Sequence, residues 1–363
     1  MDVCSVVGAM KRTLGIFVGE GGDWKFFQDI FTDLAQCYDT RVYRQRVYDT
    51  PLLYGRLNRW AVRHGIRSLL RRSDLCFFEW ASELLAAATH MPKYGPIVTR
   101  LHAFELHAWA PRINWEGVDR IIVVSNAMAR HFLARYPQCA GRVDVVYNGV
   151  PLQRFTPAAR PSGLELGMLC AVAPLKRIYE VVLMLDGLRR HYNHIARLHI
   201  AGWWSDWESE DYYDALCHLV KTLGLDDQVI FHGHVTDTPS WFRQIDIFIS
   251  NSYREGQQVA LLEAMAAGCC CFSHVWDGAD EILPTEHLYT TDAELQSKIS
   301  EYLEQPEEEQ RRRRARMRAI AEERFDIETT KAKIHAIVDE TMVRASPALA
   351  KSTGVSETCV RAS

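Results

Sequence analysis

The sequence lacks the features that mark several classes of protein. No apolar run approaches the roughly 18–20 residues that span a bilayer. Residues 1–12 contain no long apolar stretch with a cleavage site, so we expect no secretion signal and a cytoplasmic location. The formal net charge is only −4, which gives no reason to expect nucleic acid as a partner of the whole chain.

The ten cysteines form no C-x-x-C pair. Cys269, Cys270 and Cys271 follow one another inside an apolar run that is typical of a strand. Because consecutive strand residues point to opposite faces of a sheet, these three side chains cannot converge on one metal ion. We therefore predict buried, reduced thiols rather than a metal site or a disulfide framework.

Length and patterning predict two α/β domains. The chain has 363 residues, which is too many for one ordinary core and suits two domains of roughly 150–200 residues each. Apolar strand-like runs alternate with helical periodicity, and this alternation predicts parallel sheets covered on both faces. The strands predicted in the first half are Leu14–Gly19, Arg41–Val47, Leu75–Phe78, Ile97–Leu101, Arg120–Ser125 and Val143–Tyr147.

A proline-rich stretch predicts the domain boundary. Val150–Gly163 contains three prolines and is the expected linker. We predict a first domain over residues 1–155 and a second domain over residues 156–345. Residues 346–363 are polar and without periodicity, which predicts a disordered tail.

The strongest candidate site follows an apolar strand in the second half. Ligands of open parallel sheets bind beyond the carboxyl ends of the strands. Here a polar loop carries Glu255, and the apolar helix after it carries Glu263 about one turn in. Free N–H groups near Gly256, Gln257 and Gln258 favour anionic or polyhydroxylated groups. We expect Glu263 to bind a ribose diol and Glu255 to contact the sugar part of the same ligand.

The stretch from Glu255 to Glu263, followed by Ala-Met-Ala-x-Gly, resembles the E-x7-E segment of the retaining family 4 glycosyltransferases of GT-B fold. Residues 120–125, 146–150, 231–235 and 246–250 resemble other segments of that family in order and spacing. The resemblance implies an α/β protein with two Rossmann-like domains, whose parallel sheets face each other across a cleft. It also implies retaining transfer of a hexose-type sugar from a nucleoside diphosphate donor to an acceptor hydroxyl. The donor is then a co-substrate, and neither a cofactor nor a metal is expected.

Two further positions complete the expected site. Lys176 and Arg177 are adjacent cations at a predicted strand-to-helix turn, where they can bind a diphosphate. The family usually has an arginine four residues before this lysine, but this chain has Val172, which weakens the phosphate assignment. The resemblance also carries the family's active-site histidine to His102, where it would hold the donor sugar and the leaving oxygen. We expect His102 and Glu255 to be the catalytic residues.

The glycine-bearing turn Gly19–Asp23 follows the first predicted strand. Glycine lets backbone N–H groups approach a diphosphate closely at the start of a helix. The family has a donor or acceptor loop here, so we assign Gly21 and Gly22 to the donor site. Such a turn equally connects any strand to a helix.

The stretch Arg41–Arg72, called here the arginine stretch, contains nine arginines and one acid, Asp49. Between positions 56 and 71 its arginines recur every three or four residues, which predicts a basic stripe on a helix. One hypothesis is contact with an anionic membrane on its inner face, which suits a lipid-linked acceptor. The alternatives are a solvated helix face and a patch for a soluble anionic acceptor.

Two other functions stay open. A nucleotide-sugar epimerase of the same architecture would need additional acid–base groups, and the sequence singles out none. A non-catalytic nucleotide-sugar-binding protein would fit the departure at Val172, but the presence of Glu255, Glu263, Lys176 and His102 argues against it. The sequence does not specify the nucleobase, the sugar or the acceptor.

Overall fold

The computed structural model describes residues 11–19, 24, 27–48, 54–158, 164–192, 194–204 and 207–345. These residues form two compact units. One unit runs as far as Val146 and takes up the chain again from Lys331. The other comprises Tyr147–Thr330.

The first unit contains a parallel sheet of six strands in the order β2-β1-β3-β4-β5-β6. The strands are β1 (Thr13–Phe17), β2 (Asp39–Val42), β3 (Leu75–Phe78), β4 (Ile97–Leu101), β5 (Arg120–Val123) and β6 (Val143–Val145). The helices that follow them are α1 (Gln28–Cys37), α2 (Tyr54–Arg72), α3 (Glu83–Thr89), α4 (Ala103–Ala108) and α5 (Asn126–Arg135). Every residue of β3 and β4 is buried, as expected for central strands covered by helices on both faces.

The second unit contains another parallel sheet of six strands, in the order β12-β11-β10-β7-β8-β9. The strands are β7 (Glu165–Leu169), β8 (Arg197–Ala201), β9 (Val229–Gly233), β10 (Ile247–Ser250), β11 (Cys270–His274) and β12 (Leu288–Tyr289). The helices are α6 (Ile178–Tyr192), α7 (Trp207–Leu223), α8 (Thr238–Phe242), α9 (Val259–Ala266), α10 (Asp292–Glu304) and α11 (Glu307–Arg324). The last helix of the chain is α12 (Ile327–Ala345). The predicted α/β class with two parallel sheets is confirmed.

The boundaries of the units differ from the predicted 155/156 division at two places. Val150, Leu152 and Phe155 are buried in the core of the second unit, so residues 147–155 belong there and not to the first domain. The part of α12 from residue 331 belongs to the first unit, where the Asp339 carboxylate accepts a hydrogen bond from Tyr38 at 2.7 Å. Apolar burial decides the first difference and long-range polar contacts decide the second. The predicted disordered tail lies outside the described residues.

Several predicted strands end earlier in the structure than expected, and the difference is largest for the second strand. The sequence predicts Arg41–Val47, whereas β2 ends at Val42. Its neighbour β1 ends at Phe17, and the Tyr43 N–H makes the last bond to this neighbour, at 2.8 Å to the carbonyl of Ile16. A side chain of α2 binds the chain that follows, because Asn58 bonds to both the N–H and the carbonyl of Tyr48.

The consecutive cysteines are buried as predicted. Cys269, Cys270 and Cys271 are fully buried, and burial raises the pKa of the Cys270 thiol to about 12. None of the cysteines that the structure describes forms a disulfide. Across the described ranges, no helix is long and apolar enough to cross a membrane.

Candidate functional site

The side chains predicted to bind the donor follow two adjacent strands of the second sheet. Lys176 ends a short 3-10 helix that comes after β7, and Glu255 lies in the loop between β10 and α9. Because β7 and β10 are paired in parallel, their carboxyl ends lie at the same edge of the sheet. The sequence positions of these residues, 79 apart, therefore become neighbours in the fold.

Lys176 and Glu255 form an ion pair, with 2.5 Å between Nζ and Oε1. The same carboxylate oxygen accepts a hydrogen bond from the Ser252 hydroxyl at 2.6 Å. The two charged side chains retain 17% and 14% of their exposure, so they are largely desolvated but still reachable from solvent. The arrangement fixes a cation and a carboxylate side by side, where a ligand with both phosphate and hydroxyl groups could bind.

Arg177 has an unusual backbone conformation that supports this arrangement. It is the one described non-glycine residue with a positive φ, at 52°, which costs of order 1–3 kcal/mol unless the surroundings hold it. The Asn251 side-chain amide donates to the Arg177 carbonyl at 2.9 Å, and the Tyr289 hydroxyl donates to the Asn251 side-chain oxygen at 2.7 Å. A buried polar chain thus holds the turn that carries Lys176 and Arg177.

The Arg177 guanidinium is buried, and one of its nitrogen atoms has no hydrogen-bond partner. Its Nη2 lies 3.4 Å from an Asp292 carboxylate oxygen, and its Cζ lies 5.0 Å from the Tyr253 ring centroid. Its Nη1 is buried and has no hydrogen-bond partner. Burial, together with the positive charge of Arg177, lowers the pKa of His274. The turn therefore presents a guanidinium with unused hydrogen-bonding capacity, which suits an anion.

The residues at the start of α9 are buried. Gln258 is the N-cap of this helix, which begins at Val259, and Gly256 and Gln257 precede it. The Gln257 side-chain oxygen accepts the Asn148 N–H at 2.6 Å, while its Nε2 is buried without a hydrogen-bond partner. The Gln258 side-chain oxygen is also buried without a hydrogen-bond partner. These amides can hydrogen-bond to a polar ligand without first losing a partner.

Glu263 lies in α9 and is half-buried. The structure thus brings Lys176, Arg177 and Glu255 together and places Glu263 on the helix that follows. Val172, where the family usually has an arginine, is 2% exposed and packs in the apolar core of the second unit.

His102 belongs to the first unit and follows the central strand β4 as the N-cap of α4. Its ring packs against Trp80, with 4.4 Å between ring centroids. Its Nε2 lies 3.7 Å from Oε1 of the fully buried Glu79, which also forms a 2.5 Å ion pair with Arg100. Burial raises the pKa of Glu105, whose carboxylate accepts the backbone N–H of His102. His102 is therefore surrounded by a buried, charged cluster.

Gly21 and Gly22 lie outside the described residues. The first unit has a cavity of about 550 Å³ beside Gly19, at the carboxyl ends of β1 and β2. Trp24, Phe31 and Tyr43 contribute aromatic rings to its lining. Within the described ranges, no group of three or more His, Cys, Asp or Glu side chains is arranged to hold a metal ion. That the reaction needs no metal stays a prediction.

Two family models together match residues 21–324. Residues 21–154 match "Glycosyltransferase Family 4", and residues 154–324 match "Glycosyl transferases group 1". The chain belongs to glycosyltransferase family 4. The predicted family is confirmed, and the second model contains all the donor-site residues predicted in the second unit.

Curated relatives of the family match the chain over part of their length. D-inositol 3-phosphate glycosyltransferase from Arthrobacter sp. (strain FB24) is 29% identical over 42% of this chain and 38% of its own length. Mannosylfructose-phosphate synthase from Agrobacterium fabrum (strain C58) is 39% identical over 43% of this chain and 37% of its own length. The matched region thus spans less than two-fifths of these relatives.

Solved structures share the fold over nearly the whole chain. HepE from Anabaena in complex with UDP-glucose has a TM-score of 0.73 and 18% identity, covering 91% of this chain and 100% of that one. Sucrose-phosphate synthase from Thermosynechococcus elongatus has a TM-score of 0.71 and 15% identity, covering 92% and 100%. The predicted GT-B fold is confirmed.

Sequence reasoning missed several members of the site. Asn251 and Ser252 stand directly after β10, and Glu79 stands directly after β3. The rule that ligands bind beyond strand ends would have flagged all three. Tyr289 carried no such signal, because only the pairing of β11 with β12 brings it to Asn251.

Proposed function

We propose that this protein transfers a sugar from a nucleoside diphosphate donor to an acceptor hydroxyl, with retention of the anomeric configuration. The observation that carries the proposal is the Lys176–Glu255 ion pair beside Arg177, at the carboxyl edge of a sheet that the family model covers. Solved neighbours whose complexes contain UDP or UDP-glucose support a uridine diphosphate donor.

Each side chain has a role in the proposal. Lys176 and Arg177 bind the diphosphate and stabilise the charge that develops on it as the glycosidic bond breaks. Glu263 binds the ribose hydroxyls, and Glu255, with Gly256, Gln257 and Gln258, orients the sugar. Since Glu255 already accepts bonds from Lys176 and Ser252, we assign it to holding the sugar rather than to attacking it.

The first unit contributes His102, and its Gly21 and Gly22 belong to the same proposed donor site. His102 holds the donor sugar and the leaving oxygen. The acceptor hydroxyl then attacks on the face from which the diphosphate leaves. Its oxygen bonds to the anomeric carbon as the bond to the diphosphate breaks, and its proton passes to the departing diphosphate oxygen, which gives retention without a covalent intermediate. Exclusion of water protects the donor from hydrolysis.

The site assignment is tested with Glu255→Gln and Glu263→Gln in the purified enzyme. Both substitutions keep the shape of the side chain and remove its charge, so we expect turnover of a UDP-sugar to fall at least about tenfold for either variant. Glu308→Gln, on the exposed face of α11, is the matched control and keeps wild-type turnover. Full activity in both site variants would contradict the assignment.

Three further measurements test the chemistry. An NMR spectrum of the product should show the same anomeric configuration as the donor, and an inverted product would exclude retention. A chelator should leave turnover unchanged if no metal is needed. Incubation of the donor without acceptor should give no isomeric nucleotide sugar, whereas an epimerase would produce one. A protein that binds the donor but transfers nothing would be the non-catalytic alternative.

We further propose that the arginine stretch contacts the anionic inner face of a membrane. Its arginines at positions 44, 46, 56, 59, 63, 67, 71 and 72 form no ion pair with any acid that the structure describes. On α2, Tyr54 is 53% exposed and Trp60 is 59% exposed beside these cations. Unpaired arginines next to exposed aromatic side chains favour an anionic lipid surface, where each basic residue contributes about 1 kcal/mol.

Vesicle sedimentation tests this contact. The wild type should sediment with phosphatidylglycerol vesicles at low salt and not with phosphatidylcholine vesicles, and high salt should release it. Replacing Arg56, Arg59 and Arg63 by glutamine removes three of these eight arginines and should weaken binding to the vesicles by about 3 kcal/mol. The matched control replaces Arg311, Arg312 and Arg316, whose glutamate partners already neutralise them. Failure of the wild type to sediment at low salt would leave a solvated face or a site for a soluble anionic acceptor.

A further inference from the structure

His102 is held from three directions within the first unit. Glu105 bonds to its backbone N–H, as the third residue of a helix does in a capping box. Trp80 covers one face of the ring, with its centroid 4.4 Å away. The Glu79 carboxylate faces Nε2 at 3.7 Å. The backbone, the ring plane and the ring edge are therefore all constrained.

Glu79 cannot act on a ligand directly. Its side chain is completely buried, and its Oε1 contacts both Arg100 and His102. Its Oε2 is buried and makes no hydrogen bond. A buried carboxylate oxygen without a bond is unfavourable, and native structures contain few such atoms. The ion pair with Arg100 gives the buried Glu79 side chain a partner, but it does not explain why the Glu79 carboxylate faces the imidazole of His102.

The burial of the imidazole determines which ring nitrogen a ligand can reach. The His102 side chain is 13% exposed, yet Nε2 itself is buried and makes no hydrogen bond. A nearby carboxylate favours the tautomer whose proton is on the nitrogen that faces it. With the proton on Nε2, Nδ1 is left with a lone pair for a ligand hydroxyl, or with a second proton for a leaving oxygen.

We infer that Glu79 is a positioning residue for His102, which holds the proton on Nε2 and thereby presents Nδ1 to the sugar substrate. This inference rests on the role proposed for His102. Arg100 fixes the carboxylate, Glu79 fixes the tautomer, and Trp80 fixes the ring plane.

The tautomer can be read directly from the full-length protein. Nitrogen-15 NMR of the histidine rings, with the His102 signals assigned by their loss in His102→Gln, should show the Nε2–H form at neutral pH. The Nδ1–H form would overturn the inference without any change to the Glu79–Arg100 pair.

Activity is tested in the double variant Glu79→Met/Arg100→Met. Removal of both buried charges avoids the uncompensated arginine that Glu79→Gln alone would leave. We expect the double variant to fold, to keep the donor KM, and to lose kcat about 10- to 100-fold. Adding His102→Ala to it should cost little more, because the two substitutions remove one function.

Failure of the positioning role of Glu79 can be distinguished from failure of the role proposed for His102. Wild-type kcat in the folded double variant would show that Glu79 only maintains the fold, and would overturn the inference. If His102→Ala by itself keeps wild-type kcat, the proposed role of His102 fails instead. If the double variant does not fold, the NMR measurement still decides the tautomer.

Discussion

Each sheet carries an ion pair of 2.5 Å near the carboxyl ends of its strands, yet the two pairs differ in burial. Glu79 and Arg100 in the first unit are 0% and 1% exposed. Lys176 and Glu255 in the second unit are 17% and 14% exposed. A pair sealed from solvent cannot exchange a partner for a ligand, whereas a pair at the edge can. The sealed pair supports the fold and, by our inference, the His102 side chain, whereas the pair at the edge is accessible to a ligand.

The largest effect should come from breaking the sealed pair. Arg100→Met leaves the Glu79 carboxylate buried without its cation, so we expect the free energy of unfolding to fall by about 3–5 kcal/mol. Urea denaturation followed by circular dichroism measures this change. The double variant Glu79→Met/Arg100→Met should recover most of the lost stability. If Arg100→Met is as stable as the wild type, burial of the pair does not make its loss more costly.

The pair at the edge should matter for turnover more than for stability. Lys176→Met removes the charge-assisted contact to the diphosphate that we propose, so kcat should fall by about 10²–10³, or about 2.7–4 kcal/mol in activation free energy. The free energy of unfolding should change much less than in Arg100→Met, because Glu255 keeps Ser252 and some contact with solvent. Steady-state kinetics and urea denaturation measure the two quantities. Lys298→Met, which removes a surface pair with Glu294, is the matched control and should keep wild-type kcat.

An exposed pair extends the comparison to a third degree of burial. Arg312 and Glu308 on α11 lie 2.7 Å apart with exposures of 70% and 77%. Water screens such a pair, so Glu308→Gln should lower the free energy of unfolding by only about 0.3–0.5 kcal/mol. The same urea titration measures it. If Glu308→Gln lowers the free energy of unfolding as much as Arg100→Met does, the burial of an ion pair does not determine the cost of breaking it.

The smallest effect concerns a buried group that stays neutral. His287 is 2% exposed and its Nδ1–H donates to the Cys271 carbonyl at 2.8 Å, and burial lowers its pKa. His287 therefore takes up a proton more readily in the unfolded chain than in the folded protein. The stability from His287 is therefore fully present above the unfolded pKa of about 6.5 and is lost as the pH falls through the lower folded pKa.

The pH dependence can be isolated with one variant. Urea midpoints measured from pH 7 to pH 5 should fall less steeply for His287→Gln than for the wild type. Equal slopes would show that His287 does not titrate differently in the fold.

The donor half of the candidate site was largely predictable because its residues are close in sequence to strand ends. Glu255, Lys176 and Arg177 each follow an apolar run that reads as a strand, and Glu263 lies on the helix directly after one. The hydrogen bonds that hold these residues in place were not predictable from the sequence. The Asn251 amide bonds to the Arg177 carbonyl, 74 positions away along the chain, and this contact helps to hold the positive φ of Arg177.

The local pattern of apolar and polar residues determined the strands, the helices, the burial of the three consecutive cysteines and the family motif, since these depend on neighbours within a few positions. Tertiary structure decided the remainder. It placed residues 147–155 in the second unit, returned the part of α12 from residue 331 to the first, and put the Glu79 carboxylate opposite His102. The physical reason is that burial and ion pairing join residues far apart along the chain, and a linear pattern does not contain those distances.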